Sequence, residues 1–268
     1  MLSIVTTPTG YGLQIQHVRP MVYLDHWAFR LFSSDAALAS RFVGALKARG
    51  GTLAISWLNL GEYANVSVLE SRRAAEAFVE SALPAVFCID VDLAAVDNRE
   101  ETGHPLPHAD QAFASLMLNR SGSFTAKGLF EPLFDAELAG THAKLAATSQ
   151  GRLEYLRQEY HRDPKLAQAV KHAEHPDALA NTTTTRAVVR TLAGTFFPDL
   201  RRAITLNDAI DFLHAAIPTN YCDAVLLDGG MRDLVDRARL RFKDTDIELA
   251  TVFSGQDGVN RVLDYLEK

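Results

Sequence analysis

The chain has 268 residues, a formal net charge of −6, 47% hydrophobic and 22% charged residues, proportions that exclude a disordered chain and place a sizeable core within reach. The acidic balance excludes a general basic field, so a nucleic acid would have to be held by local arginine clusters or by cations. Only Cys88 and Cys222 occur, which excludes a disulfide framework or a cysteine-bound zinc cluster and fits a reducing cytosol; no apolar run nears the about 20 residues of a membrane span, and the N-terminus lacks the pattern of a secretory signal.

Residues 1–20 are broken by Thr, Gly and Pro and read as an edge strand or arm. Met21-Val22-Tyr23-Leu24 is an apolar run closed by Asp25, which predicts a buried strand with a carboxylate at its end. A helix start at Ser33-Ser34-Asp35 is followed by an apolar face of Leu38, Phe42, Val43 and Leu46, with Gly50-Gly51 as its stop. Thr52 to Ile55 predicts a second strand. Ser56 is placed to cap a helix bearing Leu58, Leu60, Glu62, Tyr63, Val66 and Val68. A helix over 72–83 ends at Pro84, and a third strand over 85–89 leads to Asp90 and Asp92. Short apolar strands alternating with helices predict an α/β fold around a parallel sheet.

Between Asp97 and Thr205 the strand pattern disappears. A polar loop over 100–110, helices over 111–118, 129–150 and 152–173, a break at His175-Pro176 and a helix over 186–193 predict a helical insertion. The α/β domain would then comprise residues 1–96 and 206–268, with 97–205 inserted. After the insertion, Ile210, Leu213 and Ile217 give one helical stripe that Pro218 and Asn220 interrupt. Ala224 to Leu227 predicts a buried strand ending at Asp228, 247–253 a last strand, and 256–268 a last amphipathic helix.

Four acids occupy comparable places: Asp25 and Asp228 after strands, Glu62 and Asp211 on helices. Ligands of open parallel sheets bind outside the carboxyl ends of the strands. Clustered carboxylates raise one another's cost of ionisation unless a cation joins them. Mg²⁺ or Mn²⁺ relieves that cost with oxygen ligands, and one or two such ions promote attack on a phosphodiester.

The segments VYLDHW, LNLGEYANV and DFLHAAIPTNYCDAVLLDGGM resemble the acidic motifs of the PIN-domain nucleases, over residues 20–95 and 205–265. The resemblance implies a three-layer α/β/α sandwich and a Mg²⁺- or Mn²⁺-dependent endoribonuclease acting on single-stranded or structured RNA, leaving 5′-phosphate and 3′-hydroxyl ends. It implies Asp25, Glu62, Asp211 and Asp228 as catalytic metal ligands, with Asp223 of the YCD element assisting through water. Two departures stand out: Leu226 occupies a place where the family often has Ser or Thr, and the long span between Glu62 and Asp211 sets the chain apart from minimal toxin-type members. By the same analogy, a second copy of the chain and a protein inhibitor are candidate partners. The alternatives are a flap-type structure-specific DNA nuclease and a catalytically silent PIN-like scaffold that binds RNA or protein.

Asp25 also suits a helix cap, Glu62 a surface acid, Asp208 a helix-start charge and His214 a packed or hydrogen-bonded core histidine. His104, His108 and Asp110 share a Pro-rich loop without the regular spacing of a zinc site, and His172 and His175 read the same way. Arg152, Arg157, His161, Arg162 and Lys165 are diluted by Glu154, Glu159 and Asp163. Arg186, Arg190, Arg201 and Arg202 have few acids nearby in the chain and are therefore the candidates for substrate contact. No phosphate-binding glycine loop or nucleophile elbow is present.

Overall fold

The structure of the chain, a computed structural model, describes residues 1–8, 10–64, 66–104, 107–119, 122–130, 135–165, 168, 182–196 and 203–268. His172, His175, Arg201 and Arg202 lie outside the described residues. Strands β1 (Leu2–Thr7) and β2 (Gly10–Ile15) pair antiparallel as a separate ribbon rather than as an edge of the main sheet. The Leu2 amide ties this ribbon to the body by donating to the Pro84 carbonyl at 2.9 Å.

The main chain then runs through β3 (Met21–Leu24), α1 (His26–Ser34), α2 (Ala36–Ala48), β4 (Thr52–Ile55), α3 (Trp57–Ala64), α4 (Leu69–Ala82) and β5 (Val86–Cys88). It continues through α5 (Leu93–Glu101), α6 (Gln111–Leu116), α7 (Asp135–Arg162), α8 (Thr184–Phe196), α9 (Leu206–Ala216) and α10 (Pro218–Tyr221). It closes with β6 (Ala224–Leu226), α11 (Gly229–Arg241), β7 (Thr251–Phe253) and α12 (Gly255–Glu267). The five strands β5-β4-β3-β6-β7 form one sheet in that order, all parallel, as the apolar runs predict.

The period-two geometry of a strand divides its side chains between two cores. Met21, Tyr23, Ala54, Phe87, Val225 and Val252 pack on one side with residues of α7, α8, α9 and α11. Val22, Leu24, Leu53, Ile55, Ala224 and Leu226 pack on the other with α1, α2, α4 and α12. Helices thus cover both faces, and the strands read as unbroken apolar runs because neither face meets water.

Several boundaries differ from the sequence reading. The helix after Ser56 stops at Ala64 instead of reaching Val68, and the next begins at Leu69 rather than at residue 72. The last strand shortens to β7 because the backbone of Ala250 is engaged elsewhere. Its amide donates to the Thr219 carbonyl at 2.7 Å, and its carbonyl accepts from Arg239 Nη2. The described residues of 97–205 comprise the end of α5, then α6, α7 and α8, with single bridges Ile89–Ala109 and Leu118–Phe124. Helix α7 runs through Gln150 and Gly151 without a break, packs against α3 and α9, and ends at Arg162; α8 packs against α5 and α11. Among the described residues no helix is long and apolar enough to cross a membrane.

Candidate metal centre

From β3 the chain builds outward through β4 to β5, then returns to the other side of β3 and builds outward through β6 to β7. The strand order therefore reverses between β3 and β6, and a crevice opens at their carboxyl ends. Asp25 follows β3 and Asp228 follows two residues after β6. The Asp25 amide donates to the Leu226 carbonyl at 3.0 Å, carrying the ladder one residue past the strand. Each aspartate caps the helix it begins: Asp25 Oδ1 accepts from the Ala28 amide at 3.1 Å and Asp228 Oδ1 from the Met231 amide at 2.7 Å. Among the described residues neither Oδ2 accepts a hydrogen bond, so capping leaves one oxygen of each uncommitted.

Glu62 on α3 and Asp211 on α9 complete the crevice. Burial pushes the Asp25 carboxyl up to about 7, against the pull of His214 and the Ala28 amide and helped by Glu62 and Asp228. Burial also pushes Asp211 up to about 6, reinforced by the negative charges of Asp228 and Glu62. Asp211 accepts no hydrogen bond among the described residues. The four acids are thus close enough to alter one another's proton affinity. They form an open cluster: among the described residues no three His, Cys, Asp or Glu side chains are grouped closely enough to hold a metal ion.

His214 stands inside this cluster, one helical turn beyond Asp211. It is 2% exposed. Its Nε2 lies 2.9 Å from Glu62 Oε2 and its Nδ1 2.6 Å from the Tyr23 hydroxyl, which in turn lies 3.0 Å from Ser56 Oγ. Burial works to lower the proton affinity of His214, but the charge and hydrogen bond of Glu62, with Asp25 and Asp211 behind, raise it above the ordinary histidine value. Burial works to raise Glu62, and His214, His26 and His142 reverse that and hold it below the usual carboxylate value. Both shifts describe an imidazolium–carboxylate pair. With His214 charged, the bonds run one way: Nδ1–H donates to Tyr23, Tyr23 to Ser56, and Ser56 Oγ to Asn59 Oδ1 at 3.3 Å.

His26 Nδ1 lies 3.6 Å from Glu62 Oε2. His142 on α7 presses on Gly61, where an added Cβ would fall 2.5 Å from its ring, so the glycine allows α3 and α7 to meet beside Glu62. The sequence reading left Tyr23, His26 and His142 out of the site and took His214 as core. Two signals were present. A tyrosine in a wholly buried strand needs a partner for its hydroxyl, and His214 shares a helical face with Asp211.

Two assignments need correction. Asp223 lies at the opposite, amino end of β6, where Oδ2 accepts from the Met21 amide at 2.7 Å and Oδ1 lies 3.3 Å from Arg19; the length of the strand separates it from the crevice. Arg186, chosen because acids are sparse beside it in the chain, is paired in space with Asp97 and Glu101 of α5. It clamps α8 to α5. Arg186→Ala is therefore expected to lower stability by about 1 kcal/mol and to leave the salt dependence of substrate binding unchanged, as read by denaturant unfolding and binding at several salt concentrations. Arg190 is exposed on the same helix. Asp208 forms a reciprocal cap with Thr205, and Asp110 caps α6. Compared with protein-family models, curated proteins and solved structures, the chain matched none of them.

Proposed function

We propose that the chain is a metal-dependent endoribonuclease of PIN-like type. One observation carries this reading: among the described residues, two strand-end carboxylates at the reversal of the sheet each keep an uncommitted oxygen beside Asp211, whose carboxylate has no hydrogen bond. The donors are all hard oxygens, and Asp25 and Asp211 hold their charge only at a cost, which is the chemistry Mg²⁺ or Mn²⁺ fits. Asp25, Asp211 and Asp228, which do not form a closed ligand group as they stand, would have to draw in to hold the ion, with Glu62 contributing the oxygen that His214 does not take. When bound, such an ion neutralises a phosphodiester and lowers the pKa of water. The remaining residues serve geometry: the Tyr23–His214 pair orients Glu62, and the two caps fix Asp25 and Asp228 on the ends of β3 and β6.

A catalytically silent scaffold is the second reading. It is favoured by the lack of a closed ligand group among the described residues and by His214, whose proton affinity Glu62, Asp25 and Asp211 raise, so that a proton rather than a metal ion can offset their charge.

Calorimetric titration of Mn²⁺ in buffers of different ionisation enthalpy separates the two. An ion seated on Asp25 and Asp211 displaces their protons. Heat accompanied by proton release near pH 6.5, with the release fading by about pH 8.5, is expected, together with Mn²⁺-dependent cleavage of RNA. Absence of heat supports the scaffold, and heat without proton release places the ion elsewhere.

A further inference from the structure

Beside the acidic crevice, α1, α3 and α4 border an open cavity of about 390 Å³, within the range of small-molecule sites. Its wall includes His26, Trp27 and Arg30 from α1 and Tyr63 from α3. His26 belongs to both places, since it lines the cavity and lies 3.6 Å from Glu62. Arg30 is exposed, and its guanidinium has neither an ion pair nor a hydrogen bond among the described residues. Trp27 Nε1 and His26 Nδ1 have no hydrogen-bond partner among the described residues. Tyr63 forms the floor, with its hydroxyl 3.0 Å from Ser33 Oγ.

An unpaired guanidinium next to aromatic rings, on a chain that is acidic overall, is matched by a ligand carrying both a flat ring and an anion. A neutral aromatic compound would leave Arg30 unanswered, and a bare phosphate would leave the rings uncovered. We propose that this cavity is a nucleotide subsite, holding the nucleotide adjacent to the phosphodiester in the crevice, with its base against Trp27 and His26 and its phosphate on Arg30. Base stacking on aromatic rings and guanidinium–phosphate pairing supply the recognition. The identity of the substrate rests on the ribonuclease reading; the cavity's preference for nucleotides does not depend on cleavage.

The chain contains two tryptophans, Trp27 and Trp57. Trp57 packs on Phe113 with ring centroids 5.0 Å apart, so Trp57→Phe keeps a ring there and leaves Trp27 as the sole tryptophan, excited selectively at wavelengths where tyrosine does not absorb. This variant would be titrated, without divalent cations, with UMP, AMP, uridine and inorganic phosphate. Saturable quenching by UMP or AMP is expected, weaker by about tenfold or more for uridine and for phosphate alone. Adding Arg30→Ala should weaken nucleotide binding by a similar factor, and Ala74→Leu, which narrows the cavity without changing charge, should weaken it as well. No saturable quenching by either nucleotide, or quenching that Arg30→Ala leaves unchanged, overturns the subsite. If Mn²⁺-dependent RNA cleavage persists in that case, the ribonuclease reading stands without it. Arg30-dependent nucleotide binding in a protein that cleaves no RNA would support the subsite and remove the ribonuclease reading.

Discussion

Asp211→Asn is expected to lower Mn²⁺-dependent RNA cleavage by about a hundredfold or more while making the metal-free protein melt higher. Both effects come from one carboxylate. Asp211 is partly buried, hydrogen-bonded to nothing among the described residues, and held up to about 6 by burial and by Asp228. At pH 7.5 it is ionised against resistance, so folding carries a cost that the unfolded chain does not. Asparagine keeps the shape and removes that charge. Because Asp211 retains some contact with solvent, screening reduces the gain to the order of 1 kcal/mol, or about 2–4 °C in Tm. The sign is set by the raised pKa: the benefit of the substitution vanishes as pH falls below the unfolded value of aspartic acid and is complete above about pH 7. Wild type should gain more than the variant from added Mn²⁺, since a ligand specific to the native state stabilises it in proportion to affinity. Glu159→Gln should show neither effect. A metal-free variant that melts lower and keeps the full Mn²⁺ response would make Asp211 a structural residue.

The largest loss of stability is expected at His214. His214→Ala leaves Glu62 buried without its countercharge and Tyr23 without its closest hydrogen-bond partner, a change that costs about 3–5 kcal/mol when one member of a buried pair is removed. The pH window follows from both partners. Glu62, held low, contributes stability that is present above its unfolded pKa and lost as pH falls through its lower folded one. His214, held high, contributes stability that is present below its unfolded pKa and lost as pH rises through its folded one. The gap between wild type and variant should therefore be widest near pH 5–6.5 and shrink in both acid and alkali. His214→Gln, which can still donate to Glu62, should recover part of the loss. Urea unfolding across pH checks this, and a gap independent of pH would reduce His214 to packing.

The strands were legible because Met21 to Leu24 and Thr52 to Ile55 are buried on both faces and so carry the continuous apolar signal of a covered parallel sheet. The strand-end position of Asp25 and Asp228 was legible for the same reason. Strand order was not, because periodicity says which face a residue takes but not which strand lies beside it. Partners across the fold were equally hidden: Tyr23 meets His214 across 191 positions and Arg186 meets Asp97 across 89. Acid density along the chain therefore misjudged Arg186. Asp223 was misplaced because Asp223 and Asp228 bracket one short run, and a strand delivers its two ends to opposite sides of the protein.

The central pairing of β3 with β6 has a consequence for synthesis on the ribosome. Met21 and Asp223 are joined by a hydrogen bond across 202 positions. When β3, β4 and β5 have emerged, one edge of β3 has no neighbour, and Asp25 stands at the end of a half-built sheet. At about 5–20 residues per second, β6 follows roughly 7–27 s later, and only then does Asp228 come to lie beside Asp25. A nascent chain thus displays an open apolar edge, of the kind that invites pairing with other chains, throughout that interval. The acidic crevice is completed only when β6 delivers Asp228, well after Asp25 and Glu62 have been made, so the proposed activity would be withheld from the nascent chain through that interval.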